Sequence, residues 1–260
     1  MSSIGIQGIK FDEKSSFQKG PVLAPPLIRD AFFCPSANLS AEDGIPIDLS
    51  RIKDHGDYQI DDYFAIEEIV RKNLRASDRI LTLGGDHSIT FPIIKAYHER
   101  YPQLNILQID AHSDLYDEFE GDPYSHACPF ARIMENRLAM RLVQVGIRTL
   151  NPHQKEQAER FGVEIHQMKN LDLNAIPAFE NPLYISLDLD GIDPAFAPGV
   201  SHHEPGGLSS RQAIEIIQGI EGEIVGADIV EYNPDRDFKG MTAYLAAKLM
   251  KEILSKMMSQ

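Results

Sequence analysis

Three short clusters of polar side chains hold the chemistry-bearing residues of this 260-residue chain. They are Gly84-Gly85-Asp86-His87-Ser88, Asp110-Ala111-His112-Ser113-Asp114 and Asp188-Leu189-Asp190, the last followed by Asp193-Pro194. Each follows a short apolar run. If the chain stays extended as it leaves such a run, Asp110, His112 and Asp114 share one side, and so do Asp188 and Asp190. Adjacent carboxylates at the end of a buried strand are costly unless a cation compensates them. Taken singly, the residues have ordinary roles: His87 packs or caps, Asp114 caps a following helix, and Asp193 before proline makes a turn. Taken together, His87, His112, Asp110, Asp114, Asp188 and Asp190 form a nitrogen and oxygen donor set without thiolate. Such a set suits Mn²⁺ or Mg²⁺ better than structural zinc or an iron–sulfur centre. Four aspartates balance two divalent ions, which in two-metal sites lie about 3.5–4 Å apart and acidify water enough to yield a nucleophile near neutral pH.

The elements that must carry these clusters follow a strand-then-helix rhythm. Short runs rich in Val, Ile and Leu predict strands over Arg79 to Leu83, Asn105 to Ile109, Arg141 to Val145, Leu183 to Leu187 and Ile224 to Val230. Their apolar character on both faces is that of buried parallel strands. Helical spacing predicts helices over Asp61 to Arg75, Ile89 to Arg100, Pro152 to Phe161, Ser209 to Gly219 and Thr242 to Met257. Alternation of the two predicts an α/β fold with a parallel sheet covered on both faces, its polar clusters at the strands' carboxyl ends, where such sheets bind ligands. The proline-rich segment from Pro21 to Gly56 carries little periodic signal and is expected to wrap the sheet as loop. With no internal repeat or long linker, one domain over residues 1–260 is expected.

Composition narrows the partners. Thirty-nine acidic against 25 basic residues give a formal net charge of −14, which disfavours nucleic acid and anionic membrane and favours cationic ligands. The stretch from Met1 to Lys10 has no basic, apolar leader pattern, and no apolar run is long enough to span a bilayer. Two cysteines, Cys34 and Cys128, form no disulfide framework and suggest a reducing compartment, by default the cytoplasm.

In wording and order the three clusters resemble the metal motifs of the ureohydrolases, the arginase and agmatinase family, and the resemblance covers nearly the whole chain. The runs Asp193 to Ser209 and Phe119 to Met134 are most similar to the plant-type arginase branch. The resemblance implies a three-layer αβα fold with a mostly parallel sheet of about eight strands, and two Mn²⁺ per chain. One ion would be held by His87, Asp110, Asp114 and Asp188, the other by Asp110, His112, Asp188 and Asp190. It also implies that His126, in Tyr124-Ser125-His126, is a mobile proton shuttle and that Glu231, in Val230-Glu231-Tyr232, grips a guanidinium. Asp114 joins these two as a catalytic residue, and homotrimers or homohexamers are expected. A bidentate carboxylate is the natural partner of a permanently charged guanidinium. Cys128 is expected to pack inertly, and His202 and His203 to shape the pocket wall.

The substrate is then a small cationic guanidino compound. The loop Asp117 to Tyr124 contains four acids and no Lys or Arg, and Asp122-Pro123 stands where plant-type arginases typically have Asn-Lys. Such a rim, with Asp122 as a substrate contact, attracts an ammonium and repels a carboxylate. Agmatine, giving putrescine and urea, is therefore the expected substrate, with arginine as the alternative. Formimino-glutamate would need a cationic clamp that this loop lacks. A non-catalytic metal-binding scaffold of the same fold is the alternative from another class.

Overall fold

The computed structural model describes residues 3–260. Its strands are β1 (Ile4–Lys10), β2 (Ile52–Gln59), β3 (Arg79–Leu83), β4 (Asn105–Ile109), β5 (Arg141–Ile147), β6 (Glu164–Gln167), β7 (Leu183–Asp188) and β8 (Ile224–Val230). They form one eight-stranded sheet in the order β2-β1-β3-β8-β7-β4-β5-β6. Every pairing is parallel. Seven helices cover it: α1 (Ala24–Phe32), α2 (Ala65–Leu74), α3 (Thr90–Arg100), α4 (Pro129–Glu135), α5 (Pro152–Phe161), α6 (Ser210–Gly219) and α7 (Met241–Met258).

The strands divide their side chains between two cores. Leu81, Leu83, Leu107 and Ile109 point into one core, with α1, α6 and α7. Ile80 and Ile106 point into the other, with α2, α3, α4 and α5. A strand buried on both faces needs apolar residues at successive positions, and that is why the central strands stand out in the sequence. Strands β1, β2 and β6 lie outside the five predicted ones. In β1, Gly5, Gln7 and Gly8 interrupt the aliphatic run. Strands β2 and β6 are the sheet's edges, and no residue of either is fully buried.

Helix starts follow local chemistry. Asn151 and Gln154 form a capping box ahead of α5, with Pro152 at the first helical position and Gly162 left-handed at the end. Ser209 and Gln212 do the same for α6, which places Ser209 at the cap rather than inside the helix. Capping satisfies backbone groups that the helix itself leaves unpaired. The expectation of loop from Pro21 to Gly56 needs correction: a 3₁₀ turn at Pro21–Leu23 leads into α1, and β2 begins at Ile52. Proline at the first helical turn blocks no hydrogen bond, so Pro25 and Pro26 start a helix here. No helix among the described residues is long and apolar enough to cross a membrane.

Strands β3, β8, β7 and β4 are adjacent, and their ends are level. Leu83 pairs with Ile229, Ile229 with Leu187, and Leu187 with Ile109. The residues just beyond them therefore emerge side by side. Segment 11–14 crosses this edge closely enough that a Cβ on Gly85 would lie 1.6 Å from the Phe11 carbonyl oxygen. Glycine is required there by contact, not by dihedral angle.

Candidate metal centre

Cluster residues from three strand ends converge on His87. Its Nδ1 lies 3.1 Å from Asp110 Oδ2, 3.0 Å from Asp114 Oδ2 and 3.1 Å from Asp188 Oδ2. A few ångströms away, His112 Nδ1 is 3.0 Å from Asp190 Oδ2 and 3.6 Å from Asp110 Oδ1. Two groups capable of holding an ion result, His87 with Asp110 and Asp114, and His112 with Asp110 and Asp190. Asp110 belongs to both, and Asp188 faces the first through His87. His87 Nδ1 is buried and makes no satisfactory hydrogen bond. A ring nitrogen facing three carboxylate oxygens is an arrangement that a cation completes, so the donor set fits divalent ions.

The electrostatics agree. Burial, with Asp190 and Asp110 beside it, holds the Asp188 carboxyl well above the ordinary range. Burial and Asp110 push Asp114 up to about 6. Burial alone would depress His87 and His112, but the surrounding carboxylates outweigh it and raise both. The cluster is thus too anionic to stay fully ionised without cations, and metal uptake must displace protons.

Local hydrogen bonds hold the donors in place. Asp188 Oδ1 accepts from the Asp190 amide at 2.8 Å, and Asp110 Oδ2 accepts from Gln108 Nε2 at 2.7 Å. Behind His87, Nε2 lies 2.9 Å from Ser186 Oγ, which donates to Asp228 Oδ1 at 2.7 Å. Asp228 Oδ2 also accepts from Thr90 Oγ1 and Tyr184 OH at 2.9 and 3.0 Å. With its hydroxyl hydrogen committed to Asp228, Ser186 accepts from His87 Nε2–H, which makes Nδ1 the nitrogen that binds an ion once its proton is displaced. The sequence signal missed was an acid, Asp228, inside the apolar run Ile224–Val230. Ser186→Ala is expected to weaken divalent-ion affinity about 10–100-fold while the fold persists. Calorimetric titration of metal-free protein with Mn²⁺ checks this, and unchanged affinity would refute the relay.

Above the cluster opens a cavity of about 230 Å³ whose lining includes His112, Asp114, His126, His202, Glu204 and Glu231. His126 Nδ1 lies 2.8 Å from Glu231 Oε1, and that oxygen also accepts from the His87 amide at 2.9 Å. Burial would lower the His126 pKa, but Glu231 outweighs it and raises it to about 9. Glu231 and Asp114 adopt left-handed backbone, with φ of 63° and 49°. Non-glycine residues rarely do so outside sites that constrain them.

Several expectations change here. Asp122 is absent from the cavity lining; its Oδ2 pairs with Lys14 Nζ at 2.6 Å. Asp117 Oδ1 lies 2.9 Å from His153 Nε2. One of the rim's acids, Asp122, is therefore neutralised by a lysine distant in sequence, which a reading of the loop alone could not find. His202 does line the wall, 5.8 Å from His112 between ring centres. His203 does not, because its Nε2 bonds to the Pro198 carbonyl. Asp193 resolves as a turn residue, accepting from the amides of Ala195, Gly206 and Gly207. Burial pushes the Cys128 thiol up to about 12, out of nucleophilic range. Ser16 and Lys14 were not singled out in the sequence, since neither lies in a recognisable motif, and Glu204 was passed over within the run Asp193 to Ser209.

An all-parallel sheet carrying two linked carboxylate and histidine groups at its central strand ends defines an α/β protein with a candidate two-ion metal centre. The arginase family profile matches residues 2–255, and the chain belongs to that family. It is a ureohydrolase, an enzyme acting on guanidino groups. "Arginase, mitochondrial" of Medicago truncatula is 45% identical over 96% of this chain and 80% of the relative. "Arginase 1, mitochondrial" of Arabidopsis thaliana is 44% identical over 98% and 81%. A Thermus thermophilus "N(1)-aminopropylagmatine ureohydrolase" is 39% identical over 68% of this chain and 63% of its own length. The solved structure of arginase from Medicago truncatula superposes with a TM-score of 0.93 at 44% identity, covering 98% of this chain and 87% of that one. The non-catalytic scaffold is set aside by this membership. The cytoplasmic expectation is also overturned, because the plant relatives carry mitochondrial names and one Arabidopsis arginase is named chloroplastic/mitochondrial. The two cysteines are free, which does not distinguish one compartment from another.

Proposed function

We propose that the chain hydrolyses arginine to ornithine and urea, with manganese as the ion pair. The observation that carries arginine over agmatine is the Lys14–Asp122 ion pair. It supplies the rim with the cation that the loop lacks, and so removes the main electrostatic objection to a substrate carboxylate. The near full-length likeness to plant arginases supports the same substrate.

Bound at the two clusters, a pair of divalent ions would lower the pKa of water and so supply the nucleophile. His87, Asp110, Asp114 and Asp188 would hold one ion, and Asp110, His112, Asp188 and Asp190 the other. Glu231, standing above them, accepts two hydrogen bonds from the guanidinium and presents its carbon to the cluster. As the bond from that carbon to the side-chain nitrogen breaks, the nitrogen leaves as an amine and needs a proton. His126 holds one at Nδ1 toward Glu231, within reach of a guanidinium seated on the same carboxylate.

One observation favours agmatine as a second reading: among the described residues, no Lys or Arg lines the cavity, whereas Glu204 does. Steady-state rates on both compounds with Mn²⁺ supplied decide between them. A higher kcat/KM for arginine is expected, and a clear preference for agmatine would overturn the proposal.

A further inference from the structure

Residues 12–20 follow β1, and Ser16 among them lines the cavity. They are tied down at several points. Asp12 Oδ2 accepts from the Gly20 amide at 2.8 Å, Asp86 Oδ2 accepts from the Lys14 amide at 3.0 Å, and Ser201 Oγ donates to the Gln18 carbonyl at 2.7 Å. In return this strap grips His126. The Lys14 carbonyl accepts from the His126 amide at 3.1 Å. The Ser16 amide lies 3.1 Å from His126 Nε2 and donates to it when the ring is neutral, and Ser16 Oγ lies 2.7 Å from the same nitrogen.

A residue that gives and regains a proton must be held in both of its charge states. A fixed N–H can serve only the neutral ring, whose Nε2 accepts. A hydroxyl serves both, donating to imidazole Nε2 and accepting from the N–H of imidazolium. On the other edge of the ring, Glu231 is the partner for which a substrate guanidinium competes. Once the guanidinium takes that carboxylate, Ser16 remains as the hydrogen-bonding side chain on His126, beside the His202 ring whose centre lies 5.4 Å away.

We propose that the Ser16 hydroxyl is a positioning residue for His126, keeping its ring aligned as it changes charge during the reaction. This rests on the ureohydrolase reading with His126 as proton donor. Ser16→Ala is expected to lower kcat about fivefold, the effect of one hydrogen bond, with KM and bound metal unchanged. Ser16→Thr should restore most of the rate. In a His126→Gln background, Ser16→Ala should have no further effect, because the group it positions is gone. Equal losses in both backgrounds, a loss of bound metal, or an unaltered kcat would each overturn the proposal. A wild-type protein that releases no urea from either compound would count against the functional reading instead. The contact could then still be judged from the imidazole nitrogen resonances of His126 in metal-free protein. Ser16→Ala should shift Nε2, and an unmoved signal would overturn the proposal.

Discussion

Asp188→Ala is expected to reduce urea release to background and to cost the protein bound metal, leaving about one ion per chain or none. Asp188 places one oxygen 3.1 Å from His87 Nδ1, while the other accepts from the Asp190 amide. Its removal therefore deletes a donor and also releases the turn that aims Asp190. The fold should survive. Without ions, burial and its neighbours already hold the Asp188 carboxyl well above its ordinary pKa, so deleting it relieves crowding rather than creating an unpaired charge. Elemental analysis beside a urea assay, with thermal unfolding of the metal-free forms as control, checks all three parts. Full metal content together with full activity would refute the assignment of Asp188. A large fall in Tm of the metal-free variant would refute the electrostatic argument.

His126→Ala should lower turnover about 10²–10⁴-fold, the share of a positioned acid–base group, with the metal complement intact. The two effects separate because the partners of His126 are Glu231 and Ser16, not the carboxylates around His87. Glu231 keeps the His87 amide as donor after the ring is lost, so guanidinium binding should change less than rate. The pH dependence has a definite sign. Glu231 raises His126 to about 9, so the ring keeps its proton through neutral pH and loses it as pH climbs past that value. An acid-dependent rate should then fall on the alkaline side, and that limb should vanish in the variant. Loss of metal in His126→Ala would make it a ligand instead.

The central strands were legible because each is buried on two faces. Arg79–Leu83 and Asn105–Ile109 match their predicted spans end for end, since a strand between two helix layers has no polar side to blur it. Edge strands β2 and β6 face water and gain their identity from one neighbour only. Helix α1 was hidden by its prolines, which read as loop until their place in the first turn is known. At the site, the residues near His87 stood out because carboxylates at the end of apolar runs are costly and therefore informative. The buried polar groups behind them gave weaker signals. Asp228 is a lone acid within a strand, and Ser186 is a serine in a motif already read for its aspartates.

By itself the sequence determined the parallel α/β architecture, and it picked out six candidate donors at three strand ends. Those features are written in local periodicity and in residue types that are expensive to bury. Only the tertiary structure decided which groups meet across long stretches of chain. It brought Lys14 to Asp122, Ser16 to His126 and Glu204 to the cavity, and it sent His203 to the Pro198 carbonyl. Substrate choice depends on those meetings, because charge and hydrogen bonding act over a few ångströms of space and take no account of separation along the chain.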